Sequence, residues 1–92
     1  MIRLFHARDI ERLFNDERVK RWRSIESVAR RKLNMAHAAA KLDDLKVPPG
    51  NNLHKLEGDR ARRHAISIND QYRVCFVWRE GNAYDVEITD YH

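Results

Sequence analysis

Three runs in the second half of the chain alternate apolar and polar residues with a period of two, and this pattern constrains the fold most strongly. The runs cover residues 62–68, 71–78 and 83–90, and turn-forming residues such as Gly81 separate them. A period of two is typical of strands that bury one face, and strands joined by short loops pair with their sequence neighbours. The pattern therefore predicts an antiparallel meander of three strands.

The loop between the first two of these strands decides which side chains share a face. A two-residue loop would place apolar and polar side chains on the same face, which is unfavourable where that face is buried. A three-residue loop over 69–71 instead pairs Ile66 with Val74 and Ser67 with Arg73. We predict the three-residue loop, which puts Arg73 on the sheet face that is turned away from the helices.

The first half of the chain predicts one strand and two helices. Residues 2–6 form a weakly alternating strand, and Asp9 is placed to cap a short helix over 10–14. A longer helix is predicted over 24–42, with Ser24 as its N-cap and an apolar stripe at helical spacing. The stripe consists of Ile25, Val28, Ala29, Leu33, Ala36 and Ala40.

The segment Pro48-Pro49-Gly50 ends the helical half, because proline cannot continue a helix. The predicted order is therefore strand, helix, helix and three strands, without the βαβ alternation of a parallel sheet. This order indicates an α+β fold in which two N-terminal helices pack on one face of an antiparallel sheet. With 92 residues, the chain is expected to form a single domain over 1–92.

Hydropathy and cysteine content bear on where the chain acts. It lacks the roughly eighteen consecutive apolar residues of a membrane span, and its first residues lack the apolar core of a secretory signal. Cys75 is the one cysteine, so no internal disulfide can form, and we interpret it as a small packed residue within its strand. A cytoplasmic location is the resulting expectation.

The positive charge of the chain is concentrated before the last two strands. The net charge is +4, yet residues 69–92 contain two arginines against five acidic residues, so residues 1–68 carry the whole excess. Such asymmetry predicts a polyanionic partner on one side of the molecule, although an ordinary solvated surface accounts for it equally well. The candidate phosphate-binding residues are Arg18, Lys20, Arg21, Arg23, Arg30, Arg31, Arg60, Arg62 and Arg63.

The remaining candidates for chemistry are His54, Arg73 and the terminal residues Asp90, Tyr91 and His92. The sequence contains neither a Gly-rich phosphate loop nor a Cys/His spacing that would hold zinc. Imidazoles and a phenol can transfer protons, and a guanidinium can hold a phosphate with two hydrogen bonds. This combination suits metal-free cleavage of RNA, in which the ribose 2′-oxygen attacks the adjacent phosphate. The residue pattern does not assign acid and base between His54 and His92.

Several motifs make the sequence resemble the HigB toxins of the RelE superfamily. They are the opening Met1-Ile2-Arg3, the connector His54-Lys55-Leu56-Glu57-Gly58-Asp59-Arg60, the strand Asn69-Asp70-Gln71-Tyr72-Arg73-Val74 and the terminal Asp90-Tyr91-His92. The resemblance implies an antiparallel sheet flanked by two helices, and cleavage of mRNA in the ribosomal A site without a metal or other cofactor. By motif match, it assigns the site to His54, Arg73, Asp90, Tyr91 and His92.

The resemblance also implies partners. They are a HigA-like helix-turn-helix antitoxin, the ribosome and its mRNA, and operator DNA that the toxin–antitoxin complex binds through the antitoxin. One departure concerns Glu57, because some family members carry lysine there and a carboxylate repels phosphate. Two other classes stay open: a non-catalytic RNA- or ribosome-binding module that uses the same basic residues, and a DNA-binding regulator. The regulator is disfavoured because no helix-turn-helix pattern is present.

Overall fold

Four antiparallel strands form one sheet in the order β1–β2–β3–β4 in the computed structural model, which describes residues 1–58 and 62–90. The strands are β1 (His54–Lys55), β2 (Arg63–Ser67), β3 (Tyr72–Arg79) and β4 (Asn82–Asp90). Within the described residues, α1 (Arg8–Phe14) and α2 (Glu26–Ala38) precede the sheet, and short 3₁₀ helices cover Lys20–Ile25, Leu42–Lys46 and Pro49–Asn51. The α+β class, with helices followed by an antiparallel sheet, is confirmed.

The register between β2 and β3 is the predicted one. Ile66 and Ser67 pair with the β3 residues that the three-residue loop requires. The side-chain Oδ1 of Asn69 accepts hydrogen bonds from the backbone N–H groups of Gln71 and Tyr72, at 2.8 and 2.7 Å. This Asx-type turn explains the loop length, because an asparagine side chain can replace a backbone acceptor in closing a turn.

The hairpin between β3 and β4 contains a tight turn and, further along, a β-bulge. Glu80 and Gly81 both have positive φ, at 52° and 79°, as the two central residues of a type I′ turn do. The bulge interrupts the ladder between Cys75 and Val77 of β3, and Asp85 of β4 has a φ of 52° at this point. A bulge adds a residue to one strand and changes the direction of its side chain, here that of Asp85.

The N-terminal residues contact β4 but do not form the predicted strand. Ile2 and Phe5 make isolated parallel bridges to Ala83 and Val86, so residues 2–6 follow the edge of β4 without continuous pairing. The fourth strand of the sheet is instead β1, which lies in a stretch predicted to be a polar connector. A strand of two residues is too short to show an alternation of apolar and polar residues in the sequence. It forms only because its backbone pairs with the edge of β2.

The two helices begin elsewhere than predicted, because neither Asp9 nor Ser24 is an N-cap. α1 starts at Arg8, so Asp9 lies in its first turn, where a negative charge favours the positive end of the helix dipole. Ser24 belongs to the 3₁₀ helix that runs directly into α2, and it therefore lacks the extended backbone of a capping residue. α2 ends at Ala38, because Ala39 is extended. No helix in the described part of the chain is long and apolar enough to cross a membrane.

The core lies between the helices and one face of the sheet. Ala29, Leu33 and Ala36 of α2 are fully buried, as the predicted stripe requires, and they belong to one cluster with Phe76 of β3. Lys32 is buried as well, with 6% of its surface exposed, although the apolar stripe excludes it. A lysine inside a core needs a specific explanation, because an ammonium group is costly to remove from water.

Candidate active site

His54 and Arg73 meet on the sheet face that is turned away from α1 and α2. His54 pairs with Ala65 of β2, and Ala65 pairs with Cys75 of β3, so these three side chains leave the same face of the sheet. Arg73 lies two residues before Cys75 in β3 and therefore shares that face. Its Nη1 donates a hydrogen bond to Nε2 of His54 at 2.9 Å. The structure thus brings together two residues of the predicted site that lie far apart in sequence.

The hydrogen bonds of His54 define its tautomer. Its Nδ1 lies 2.8 Å from the carbonyl oxygen of Asn52, which can only accept, so Nδ1 carries the hydrogen. Nε2 is then unprotonated and accepts the hydrogen bond from Arg73. In this tautomer the Nε2 lone pair is directed at the guanidinium. A general base needs an unprotonated nitrogen of this kind, and the hydrogen bond from Arg73 has to move away from Nε2 before that nitrogen takes up a proton.

Small residues of β2 leave room for the contact between His54 and Arg73. The two residues stand on strands that flank β2, so the Arg73 side chain has to bridge two strand spacings, about 10 Å. Of the three β2 residues on this face, Arg63 pairs further along with Val77, whereas Ala65, which is fully buried, and Ser67, which pairs with Arg73, lie next to the contact. A large side chain at either position would stand between the guanidinium and the imidazole.

The predicted terminal residues are only partly described. Asp90 pairs with Tyr72, whereas its neighbour Thr89 pairs with Arg73, so the Asp90 side chain leaves the opposite face from the guanidinium. Asp90 is exposed, and its carboxylate accepts a hydrogen bond from Nε2 of Gln71 at 3.1 Å. The pairing of β4 therefore does not bring Asp90 to Arg73. Tyr91 and His92, the other predicted terminal residues, lie outside the described residues.

Arg63 has partners within the protein. Its guanidinium donates to the carboxylate of Asp85 and, at 3.1 Å, to the Asp85 carbonyl oxygen, and it lies 3.8 Å from Glu87. His6 contacts the same two carboxylates, at 2.8 Å from Asp85 and 3.4 Å from Glu87. Because only 15% of the Arg63 side chain is exposed, its main contribution is to join β2 to the bulge in β4. In the described residues, no group of three histidine, cysteine or acidic side chains is arranged to hold a metal ion.

Arg30 also has a role in the interior of the protein. Its guanidinium donates to the carbonyl oxygens of Leu13 and Glu17 at 2.9 and 3.0 Å, and it contacts the carboxylates of Glu26 and Asp16. These bonds satisfy carbonyl groups at and just after the end of α1, which an α-helix leaves without internal partners. Arg30 therefore holds the end of α1 against α2.

Exposed basic side chains line a groove beside the start of α2. The groove is formed by Arg18, Arg23, Arg31, Ser24, Ser27 and Asn34, among other residues. Arg21 is exposed but does not line this groove: its guanidinium lies 3.4 Å from the Asp9 carboxylate and 4.5 Å from the centroid of the Trp22 ring. Trp22 packs edge-on against Tyr72 on the helix-covered side of the sheet, so the groove and the His54–Arg73 pair face different ways.

The other candidate phosphate ligands are distributed around the molecule. Lys20 and Arg62 are exposed, as is Glu57, at which the chain departs from the lysine of some HigB toxins. Arg60 lies outside the described residues. Sequence reasoning could count these charges, but it could not separate exposed arginines from those held by internal carboxylates and carbonyls.

His64, a histidine that sequence reasoning did not single out, should make stability fall in mild acid. It stacks on Phe76, its Nδ1 is buried without a hydrogen-bond partner among the described residues, and burial, followed by the positive charge of Lys55, lowers its pKa. Above about pH 6.5 both the folded and unfolded forms keep His64 neutral. Below that pH the unfolded chain takes up a proton that the folded chain resists, so the free energy of unfolding decreases.

The measurement is chemical denaturation between about pH 5 and 8 for the wild type and for His64→Gln. We expect the two profiles to diverge on the acid side, with the wild type losing more stability. Parallel profiles would show that His64 titrates alike in both states.

Fold and site together define a class of protein: a small, basic α+β domain with a guanidinium–imidazole pair on the open face of an antiparallel sheet. A family model described as "RelE-like toxin of type II toxin-antitoxin system HigB" matches residues 3–92. Toxin HigB-1 of Vibrio cholerae serotype O1 is 37% identical over 81 residues, which cover 86% of this chain and 85% of that toxin. An uncharacterized protein of Haemophilus influenzae is 34% identical over 55 residues, covering 60% of this chain and 54% of its own length.

The chain therefore belongs to the HigB family of RelE-like toxins from type II toxin-antitoxin systems. Membership implies that the toxin has a cognate antitoxin as its partner. The resemblance stated from the terminal and β3 motifs is confirmed.

Proposed function

We propose that the protein is an endoribonuclease that cleaves mRNA on the ribosome and thereby inhibits translation in the cytoplasm. The observation that carries the proposal is the hydrogen bond between Arg73 and the unprotonated Nε2 of His54. It brings a guanidinium, which is suited to binding a phosphate, next to an imidazole nitrogen that can accept a proton, and RNA cleavage uses both kinds of group. Membership in the HigB family supports the same activity.

The reaction needs no group beyond the chain and the RNA. His54 Nε2 accepts the proton of a ribose 2′-hydroxyl, and that oxygen forms a bond to the adjacent phosphorus. The bond between phosphorus and the 5′-oxygen breaks, and a general acid protonates the leaving oxygen. Arg73 stabilises the additional negative charge on the phosphate oxygens by donating two parallel N–H···O hydrogen bonds. The products are a 2′,3′-cyclic phosphate and a 5′-hydroxyl.

We assign the general acid to His92 and a supporting hydrogen bond to Tyr91, on the strength of the motif that these residues share with the family. The unprotonated Nε2 of His54 is the reason for placing the base there and the acid at the chain end. The antitoxin partner is proposed to be a HigA-like helix-turn-helix protein, which would carry the complex to operator DNA.

The direct test uses mRNA bound to ribosomes with a codon in the A site. The wild-type toxin should cut it and leave a cyclic phosphate on the upstream fragment. An otherwise identical mRNA with one 2′-deoxynucleotide at the cleavage position lacks the attacking oxygen and should resist cleavage there. Equal cutting of both mRNAs would exclude the 2′-hydroxyl mechanism, and binding without any cleavage would favour the non-catalytic module.

The basic groove should contribute to ribosome binding through phosphate contacts. Replacing Arg18, Arg23 and Arg31 with glutamine is expected to weaken ribosome association and to lower the slope of log affinity against log salt by about 0.7–0.9 per lost contact. The motivating observation is that these arginines are exposed along one groove. The measurement is sedimentation with ribosomes over a series of salt concentrations.

The matched control removes the same number of positive charges elsewhere, by replacing Arg3, Arg8 and Lys46, which are also exposed. Both triple variants change the net charge equally. If they weaken ribosome association to the same extent, net charge and not the groove accounts for binding.

A further inference from the structure

Lys32 is an unusual residue for the core of this protein. It lies on the buried side of α2, and among the described residues no carboxylate pairs with its ammonium group; its Nζ instead donates to the side-chain oxygen of Asn51. Burial, followed by the nearby charge of Arg31, lowers its pKa. An aliphatic side chain of the same length would occupy this position at a lower cost in free energy. Packing alone therefore does not account for a lysine here.

Asn51, the partner of Lys32, organises the segment that leads to β1. It is fully buried, and its amide nitrogen donates to the carbonyl oxygens of Leu45 and Val47 at 3.2 and 3.4 Å. Asn51 thus closes residues 45–51 into a compact loop. The bond from Lys32 attaches that loop to α2, which is the longest helix in the described residues.

The residue that follows this loop forms the hydrogen bond that defines the tautomer of His54. Asn52 follows Asn51 and has a left-handed backbone, with φ 48° and ψ 50°. Its carbonyl oxygen accepts the hydrogen on Nδ1 of His54, which leaves Nε2 to accept from Arg73. A continuous series of contacts therefore runs from Lys32 through Asn51 and the adjacent backbone to the candidate active site.

We propose that Lys32 and Asn51 are positioning residues for His54. They hold the Asn52 carbonyl where it selects the Nδ1–H tautomer of the imidazole, so that Nε2 is the hydrogen-bond acceptor on the open sheet face. Neither residue contacts the reacting atoms. The expected effect on cleavage rests on the proposed function, whereas the expected effect on the His54 imidazole does not.

The test compares Lys32→Met and Lys32→Gln with the wild type. Methionine fills a similar volume without a donor, whereas the glutamine amide can still donate to Asn51. In Lys32→Met we expect unchanged or higher thermal stability, movement of the two His54 imidazole ¹⁵N resonances toward their average, and a loss in kcat of up to about 10²-fold with little change in KM. Lys32→Gln should restore part of both the resonance separation and kcat.

Lys46→Met is the matched control, because it makes the same substitution at an exposed lysine in the preceding 3₁₀ helix. It should leave the His54 resonances and kcat unchanged. If Lys32→Met does not fold, Asn51→Ser interrupts the same contacts with a smaller polar side chain, and the same shift of the His54 resonances is expected.

The outcomes separate the two proposals. Unchanged His54 resonances in a folded Lys32→Met or Asn51→Ser variant would overturn the positioning role, whatever happens to cleavage. Altered resonances together with wild-type cleavage would support the positioning role and contradict the catalytic role of His54. Altered resonances together with a lower kcat support both.

Discussion

Replacing Arg73 with alanine is expected to lower the rate of mRNA cleavage on ribosomes by about 10²–10³-fold, the usual cost of removing one preorganised donor to a transition-state oxyanion. The side chain reaches across β2 to His54 on the open sheet face, where a phosphate that replaces their mutual hydrogen bond would meet both a cation and a proton acceptor. The rate should be measured under single-turnover conditions with saturating toxin, so that weaker ribosome binding does not contribute.

Arg73→Lys should recover only part of the loss, because an ammonium group cannot form the two parallel hydrogen bonds of a guanidinium. Arg79→Ala is the matched control: Arg79 is at the exposed end of the same strand and stacks on Tyr84. Thermal unfolding of all three variants tests whether Arg73 is needed for folding. A large drop in melting temperature, confined to Arg73→Ala, would indicate a structural role instead of a catalytic one.

Replacing His54 with glutamine is expected to lower the cleavage rate by about 10²–10⁴-fold, the usual contribution of a positioned proton-transfer group. The glutamine side-chain oxygen can still accept a hydrogen bond from Arg73, but it cannot take up the 2′-hydroxyl proton. His54→Gln therefore separates the loss of proton transfer from the loss of the Arg73 contact. The measurement is again single-turnover cleavage, together with binding of the variant to ribosomes.

His64→Gln is the control for this second prediction, because His64 lies in the adjacent strand and directs its ring at Phe76 in the core. At about pH 7.5, above the range in which the unfolded histidine titrates, this variant should cleave at the wild-type rate. If His54→Gln also cleaves at that rate, His54 is not the base, and the proton acceptor has to be sought among the terminal residues.

The candidate site was predictable in its residue types and only partly in its geometry. The period-two pattern and the length of the 69–71 loop correctly placed Arg73 on the open face, because side chains in a strand alternate strictly between faces. The same alternation puts the Asp90 side chain on the opposite face of the sheet from Arg73, although the motif match grouped both residues in one site. Whether Asp90 takes part in catalysis stays a prediction.

What the sequence by itself determined is the α+β class, the β2–β3 register and the open-face position of Arg73. These follow from local rules, since strand periodicity and turn chemistry depend on residues close together in the chain. The tertiary structure alone decided that His54 belongs to a strand and that its ring meets Arg73, because β1 exists only through its pairing with β2.

The tertiary structure also decided which charges are available to a partner. In the sequence, Arg30 and Arg63 cannot be distinguished from the other basic residues. In the structure, their guanidinium groups form hydrogen bonds and ion pairs with carbonyl oxygens and carboxylates of other segments. Lys32 reads as a surface lysine, yet it is buried against Asn51, 19 residues further along the chain. The physical reason is the same in each case: the partner that satisfies a charged group is distant in sequence, and only folding brings the two together.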